Sequence, residues 1–361
     1  DKNRNDANEL WKSKILEIKS INSDSKEEDA DFIKNWLRSQ YANSIRDTKK
    51  GAINKDFDLI GTEFHKWVRE NNKSIGLSRT EDFEKFVLKE FKLFSDIYVR
   101  LKKYSKVFHQ EYEYVYYNAN RNFTLQYQLI LAAISPDDAK EIIDRKIKAV
   151  SCFIDQYITV RVFNFKLVEY SSIKNAVFNI TKNIRRAKFD DLGLTLQAEL
   201  QNTGFALANI ERFYLNGFTI RYMLHILARI THYIESEVGR NTKFEDYVSR
   251  TIKNPYDIEH IWADRFDRYS TECADLDDFN NWRNKFGALL ILPRDKNRSF
   301  QDSDYRTKLE KYYAENLLAQ SLNEKCYSNN PQFLRFIESS AVSFKPHTDF
   351  NKSDITERQL L

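Results

Sequence analysis

Residues 254–313 read NPYDIEHIWADRFDRYSTECADLDDFNNWRNKFGALLILPRDKNRSFQDSDYRTKLEKYY. A short apolar run ends in the acid–histidine pair Glu259-His260, a second covers Ala288 to Leu292, and Asn297 then stands just before a helical pattern. The predicted order is strand, strand, helix. Phosphodiester hydrolysis needs a nucleophilic water, a base for its proton, and positive charge on the transition-state oxygens and the leaving 3′ oxygen. A neutral imidazole serves as base near neutral pH. Carboxylate and amide oxygens suit a hard ion, Mg2+ or Mn2+, where zinc would want more nitrogen or sulfur. His260 is therefore the candidate base, and Glu259 and Asn297 are the candidate metal ligands. Neighbours on a flat strand point to opposite faces, so Glu259 and His260 can share a site only where the strand ends or twists. Asp257, on the same face as Glu259, is the alternative ligand, and Asp264 a more remote one.

The surrounding chain reads as helical. Its 361 residues include only 8 Gly and 5 Pro, where average usage would give roughly 25 and 18. So few turn-formers imply long helices with short connections, and 14% aromatic residues imply packing through large rings. The fold class expected is mainly α, a multi-helical body carrying a small ββα unit near the C-terminus. Fifty-seven basic and 53 acidic side chains nearly balance, so a phosphate-binding surface must come from local clustering. Cys152, Cys273 and Cys326 are too far apart for a zinc or disulfide framework, which makes a reducing cytoplasm the expected location. No apolar run is long enough to span a membrane, and no signal-peptide pattern opens the chain. The chain starts at Asp1 and its one methionine is Met223, so it is read as a fragment or a processed chain.

Helical stripes run through the first two thirds. Leu10, Trp11, Ile15 and Ile18 share a face; Phe32, Trp36 and Leu37 form a second stripe, and Phe57, Ile60, Phe64, Trp67 and Val68 a third. Asn22 to Asp29 is a polar break. Ser78 and Glu81 have capping-box spacing, predicting a long helix from Arg79 through Leu101. Val107 to Tyr117 favours helix over strand. Ser135-Pro136-Asp137-Asp138 predicts a helix start, with the segment running to about Phe163. Ile173 to Ile184 is a further helix whose basic end, Lys182 to Lys188, reads as solvated. Phe218 to Glu237 has Ile220, Leu224, Leu227, Ile230 and Ile234 inward and Gly239 as a left-handed cap. Phe244 to Ile252 is a short amphipathic turn. The expected division is 1–105 and 106–245 as helical regions, 246–338 as the site-bearing unit, and 339–361 as a loosely packed polar tail.

The DIEHI run, the later GxLxxLP run at Gly287–Pro293 and Asn297 before a lysine-bearing helix resemble the HNH, or ββα-metal, nuclease unit. That unit lies at the C-terminal end of GmrSD-type modification-dependent (type IV) restriction endonucleases. The resemblance implies a metal-dependent DNA endonuclease, the effector of an anti-phage system acting on modified phage DNA. By it, His260 activates water, Glu259 and Asn297 hold one magnesium, and Lys308 contacts phosphate. DFIKNWLRSQY and FHKWV are similar to helices that follow an N-terminal nucleotide-binding module in these enzymes, a module expected to be missing from this chain. Gly287-Ala288-Leu289 departs from the family's Gly-Asn-Leu, whose Asn braces the histidine loop; Asn284 is the candidate replacement. The departure leaves open a non-catalytic DNA-binding or protein-interaction module with a degenerate HNH fold. Arg294, Lys296 and Arg298 flank Asn297 and are candidate phosphate contacts or a solvated loop. His65, His225 and His232 read as packing or surface residues.

Overall fold

The computed structural model describes residues 2–21, 27–204, 209–300, 302–328 and 330–361. It is mainly helical, 65% helix with two strands among the described residues. The chain divides into two compact units, Asp1–Arg161 with Leu167–Phe205, and Val162–Lys166 with Ala206–Leu361.

In the first unit, helix Glu28–Gln40 buries Phe32, Trp36 and Leu37, and helix Asp56–Glu70 buries Phe57, Ile60 and Trp67. The polar break before them falls partly on residues 22–26, outside the described residues. The helix expected from Arg79 begins at Thr80, and its cap is Asp82, whose carboxylate accepts the Ser78 and Arg79 backbone N–H groups; Ser78 and Glu81 do not form the box. A π-helical turn, Phe86–Phe91, interrupts it before Lys92–Lys106 and shifts the phase of the apolar stripe, so that Phe91 and Phe94 are both fully buried. Trp36 stacks on Phe86 at 4.8 Å between ring centroids.

Some local signals misled. Residues 126–133, for which no element was expected, form a helix whose every residue is buried; a helix buried all round shows no one-sided period. The start expected at Pro136 falls at Lys140 instead, because Asp138 turns back to accept Ser135 N–H and to pair with Lys146 at 2.6 Å. In the basic end around Ile184, Lys182, Arg186 and Lys188 are exposed as expected, but the half-buried Arg185 and the Arg186 guanidinium are engaged with the first unit's own chain. Arg185 donates to the carbonyls of Ser39 and Ala42, and Arg186 to Gln40 Oε1. Arg185 thereby satisfies carbonyls left open at and just past the end of helix Glu28–Gln40.

In the second unit, helix Ile220–Glu237 ends before Gly239, which has φ 77°. Its buried face runs through Met223, Leu227, Ala228 and Ile234; Ile220 is 55% exposed, so the face is rotated from the expected stripe. Strands β1 (Tyr256–His260) and β2 (Leu289–Pro293) pair antiparallel, Tyr256 opposite Pro293 and His260 opposite Leu289. Leu289 to Leu292 are buried on both faces, which explains an apolar run without alternation. Helix Leu276–Arg283, N-capped by the Asp275 carboxylate, lies between the strands in sequence, and helix Arg294–Phe300 follows β2 with no loop.

Residues 339–361 are not a loose tail. Helix Lys352–Gln359 buries Ile355, Arg358 and Gln359. Arg358 Nε donates to Gly287 O at 3.0 Å, and Gly287 N donates to Gln359 Oε1 at 2.7 Å. The buried side chains are mostly polar, so no apolar period marked this helix in the sequence.

Candidate active site

β1 ends at His260, and that end resolves the problem of alternating faces. Glu259 and His260 line the same cavity, of about 320 Å3, together with Trp262 from the exit of β1. Asn297 and Arg298 enter it from the helix after β2, Arg283 from the helix between the strands, and Lys308 from helix Tyr305–Tyr312.

His260 Nε2 lies 3.0 Å from Asn284 Oδ1. Asn284 Nδ2 donates to Asn280 O at 2.8 Å, which turns the amide oxygen toward the imidazole. Nε2 then carries the proton and Nδ1 holds the lone pair. Burial, reinforced by the Arg283 guanidinium, pushes the His260 pKa down to about 4, with the Asn284 bond opposing. At neutral pH the ring is an uncharged base. Ala288, standing where the family has its bracing Asn, is fully buried in the apolar core. The side-chain amide at His260 comes from Asn284.

Glu259 is 3% exposed, and its Oε1 accepts from Lys308 Nζ at 2.7 Å and from the Tyr312 hydroxyl at 2.9 Å. Lys308 Nζ also donates to His260 O at 2.8 Å. Burial pulls the Lys308 pKa down against the pull of Glu259, while burial and Glu259 together push Tyr312 well up. Lys308 thus braces Glu259 and the end of β1. Asn297 Nδ2 donates to Ile258 O at 2.8 Å, leaving Oδ1 as the acceptor end of the amide.

Asp257 is not brought to the cavity. Arg250 at 2.6 Å and Arg294 at 2.8 Å hold its carboxylate, and against the effect of burial they keep its pKa below the usual range. Arg294 is engaged in this way, Lys296 is exposed, and Arg298 alone of the three reaches the cavity wall. Asp264 is exposed, 4.0 Å from Arg283.

Among the described residues, no group of three or more His, Cys, Asp or Glu side chains could hold a metal ion. Mg2+ and Mn2+ do not require one, since one or two protein oxygens suffice when water and phosphate fill the remaining positions. The Glu259 carboxylate and Asn297 Oδ1, on one cavity, fit that donor set.

Residues 201–360 match the family described as GmrSD restriction endonucleases, C-terminal domain. The match covers a little under half of the chain, and over that stretch the chain is similar to this family. No curated protein and no solved structure matches the chain. Within residues 201–360, two cavity-lining or bracing side chains carried no signal in the sequence. Arg283 is one among many charges on an amphipathic helix, and Tyr312 is one of 20 tyrosines. Only the fold brings the first beside His260 and the second onto Glu259.

Proposed function

We propose that this protein is a restriction endonuclease effector that hydrolyses phosphodiester bonds of DNA with an HNH-type ββα site. The observation that carries the reading is the convergence of a neutral imidazole, held by Asn284 with its Nδ1 unprotonated, with two hard oxygen donors, Glu259 and Asn297, on one cavity. His260 Nδ1 takes a proton from a water whose oxygen bonds to phosphorus. The bond from phosphorus to the 3′ oxygen breaks, the leaving oxygen takes a proton from solvent, and the products are a 5′-phosphate and a 3′-hydroxyl. Glu259 and Asn297 would hold a divalent ion, Mg2+ or Mn2+, which when bound would supply positive charge to the transition state and the leaving oxygen. Lys308 and Tyr312 keep the Glu259 carboxylate in place throughout, and Asn284 keeps the base in one tautomer.

Modified phage DNA in the cytoplasm is the substrate this reading assigns, with an N-terminal nucleotide-binding module as the partner that selects it. No helix among the described residues is long and apolar enough to cross a membrane. The test is nicking of plasmid DNA, unmodified and with modified bases, in magnesium by wild type and His260→Ala. General-base catalysis contributes about 10²–10⁴-fold, so the variant should fall by that factor. Equal cleavage by both proteins removes His260 as base. Binding without cleavage by wild type on every substrate returns the reading to a degenerate, non-catalytic module.

A further inference from the structure

Arg283 has no part in the reaction as described, yet its guanidinium lines the cavity. It is the last residue of helix Leu276–Arg283, and its side chain is 17% exposed. Its Nε donates to Trp262 O at 3.2 Å, which sets the plane of the group. Asp264 Oδ2 stands 4.0 Å from Nη2, beyond hydrogen-bond reach, and is itself in solvent. The terminal nitrogens make no hydrogen bond within the described residues. Four N–H groups at the tip of a mostly buried guanidinium are therefore left for an acceptor in the cavity.

The charge balance says what kind of acceptor this is. Arg283, Arg298 and Lys308 face the single carboxylate Glu259 across the cavity, and Lys308 already neutralises it at 2.7 Å. Arg298 and Arg283 remain, Arg283 with only the solvent-exposed Asp264 carboxylate 4.0 Å away, so the cavity wall carries an excess of positive charge that suits an anion. Arg298 is exposed on the rim, where water and salt weaken any ion pair. Arg283 is held by Trp262 and screened from solvent, and a planar guanidinium matches two oxygens of a phosphate.

We propose that Arg283 is the phosphate-anchoring residue of the site, its terminal nitrogens binding non-bridging oxygens of the phosphodiester that lies beside His260. The inference rests on the nuclease reading for the identity of the phosphate. It assigns a substrate contact to a residue outside the strand–strand–helix unit. It also makes the end of helix Leu276–Arg283 a two-residue device, in which Arg283 holds the substrate and the adjoining Asn284 holds the base.

The test is binding of a short DNA duplex in EDTA, where no cleavage intervenes. Arg283→Gln should weaken binding about tenfold and reduce the slope of log affinity against log salt by about 1. Arg283→Lys should recover part of the affinity. Affinity and slope equal to wild type in Arg283→Gln overturn the proposal. Should Arg283→Gln not fold, phenylglyoxal labelling of wild-type Arg283, read by mass spectrometry, replaces it. The duplex should suppress labelling several-fold, and undiminished labelling overturns the proposal. Protection by inorganic phosphate at concentrations where the duplex gives none overturns the assignment to a phosphodiester. A wild type that cuts no DNA, with weakened binding by Arg283→Gln, sinks the nuclease reading and leaves the anchor standing. Cleavage by wild type with unchanged binding by the variant does the reverse.

Discussion

Lys308 Nζ stands 2.7 Å from Glu259 Oε1, and the two side chains are 1% and 3% exposed. The pair ties helix Tyr305–Tyr312 to the last turn of the site strand, and the same ammonium holds the carbonyl of His260. A lysine placed by resemblance at the phosphate is thus a brace for the acid.

Removing one partner of a buried ion pair leaves the other charge uncompensated, at about 3–5 kcal/mol. Lys308→Met is expected to lose stability of that order in urea unfolding, with Glu259 as the stranded group. The double variant Glu259→Gln, Lys308→Met should recover part of the loss. A Lys308→Met midpoint equal to wild type would show that the pair is not what holds this wall.

The donor set makes a separable claim about metal. Manganese binding followed by electron paramagnetic resonance should weaken at least tenfold in Glu259→Gln and in Asn297→Ala. Asp257→Asn should bind as wild type does, because Arg250 and Arg294 already occupy that carboxylate. Loss of binding in Asp257→Asn alone would exchange the ligand assignment.

For pH, the direction follows from the His260 pKa of about 4 against an ordinary value of 6.5. Between these values the unfolded chain binds the proton and the folded one does not. Stability contributed by the neutral ring is therefore complete above about pH 6.5 and is lost as pH falls toward 4, by an amount on the order of 3 kcal/mol. The acid limb of cleavage should likewise lie near pH 4. His260→Gln should flatten the wild-type stability loss in that window, measured by thermal unfolding at fixed ionic strength.

Asn284 sets the tautomer, so its replacements should diverge. Asn284→Asp puts a carboxylate on Nε2–H, stabilises the imidazolium and moves the acid limb to higher pH. Asn284→Ala frees the ring and should lower kcat on the order of tenfold or more. Nitrogen chemical shifts of the His260 ring check the cause directly, since wild type should carry its proton on Nε2 above pH 6.

Gly287 tests the C-terminal helix. A Cβ there would collide with Ile355 O and approach Gln359 N to 2.7 Å, and both are backbone atoms that cannot turn aside. Gly287→Ala should cost about 2 kcal/mol or more and expose the amides of 352–359 to hydrogen exchange. Unchanged protection there would contradict the packing of this helix on the loop before β2.

Much of the helical body was readable because its cores are one-sided. Phe32, Trp36 and Leu37 recur at helical spacing since only one face of their helix is buried. Gln126–Ala133 escaped because all its faces are buried, and Lys352–Gln359 because its buried residues are largely polar. The cap at Asp82 was missed by one residue, as local hydrogen bonds compete among neighbouring acids.

In the second unit the sequence by itself determined the strand–strand–helix order and the acid, histidine and amide that lie within it. Alternation, apolar runs and spacing are properties of neighbours along the chain. Tertiary structure alone decided that Glu259 and His260 share a cavity, that Asn284 holds Nε2, that Lys308 faces Glu259 and that Arg283 lines the wall. Proton position, pKa and charge balance depend on which groups desolvate and approach one another, and here those groups come from separate helices that only the packed core of this unit brings together.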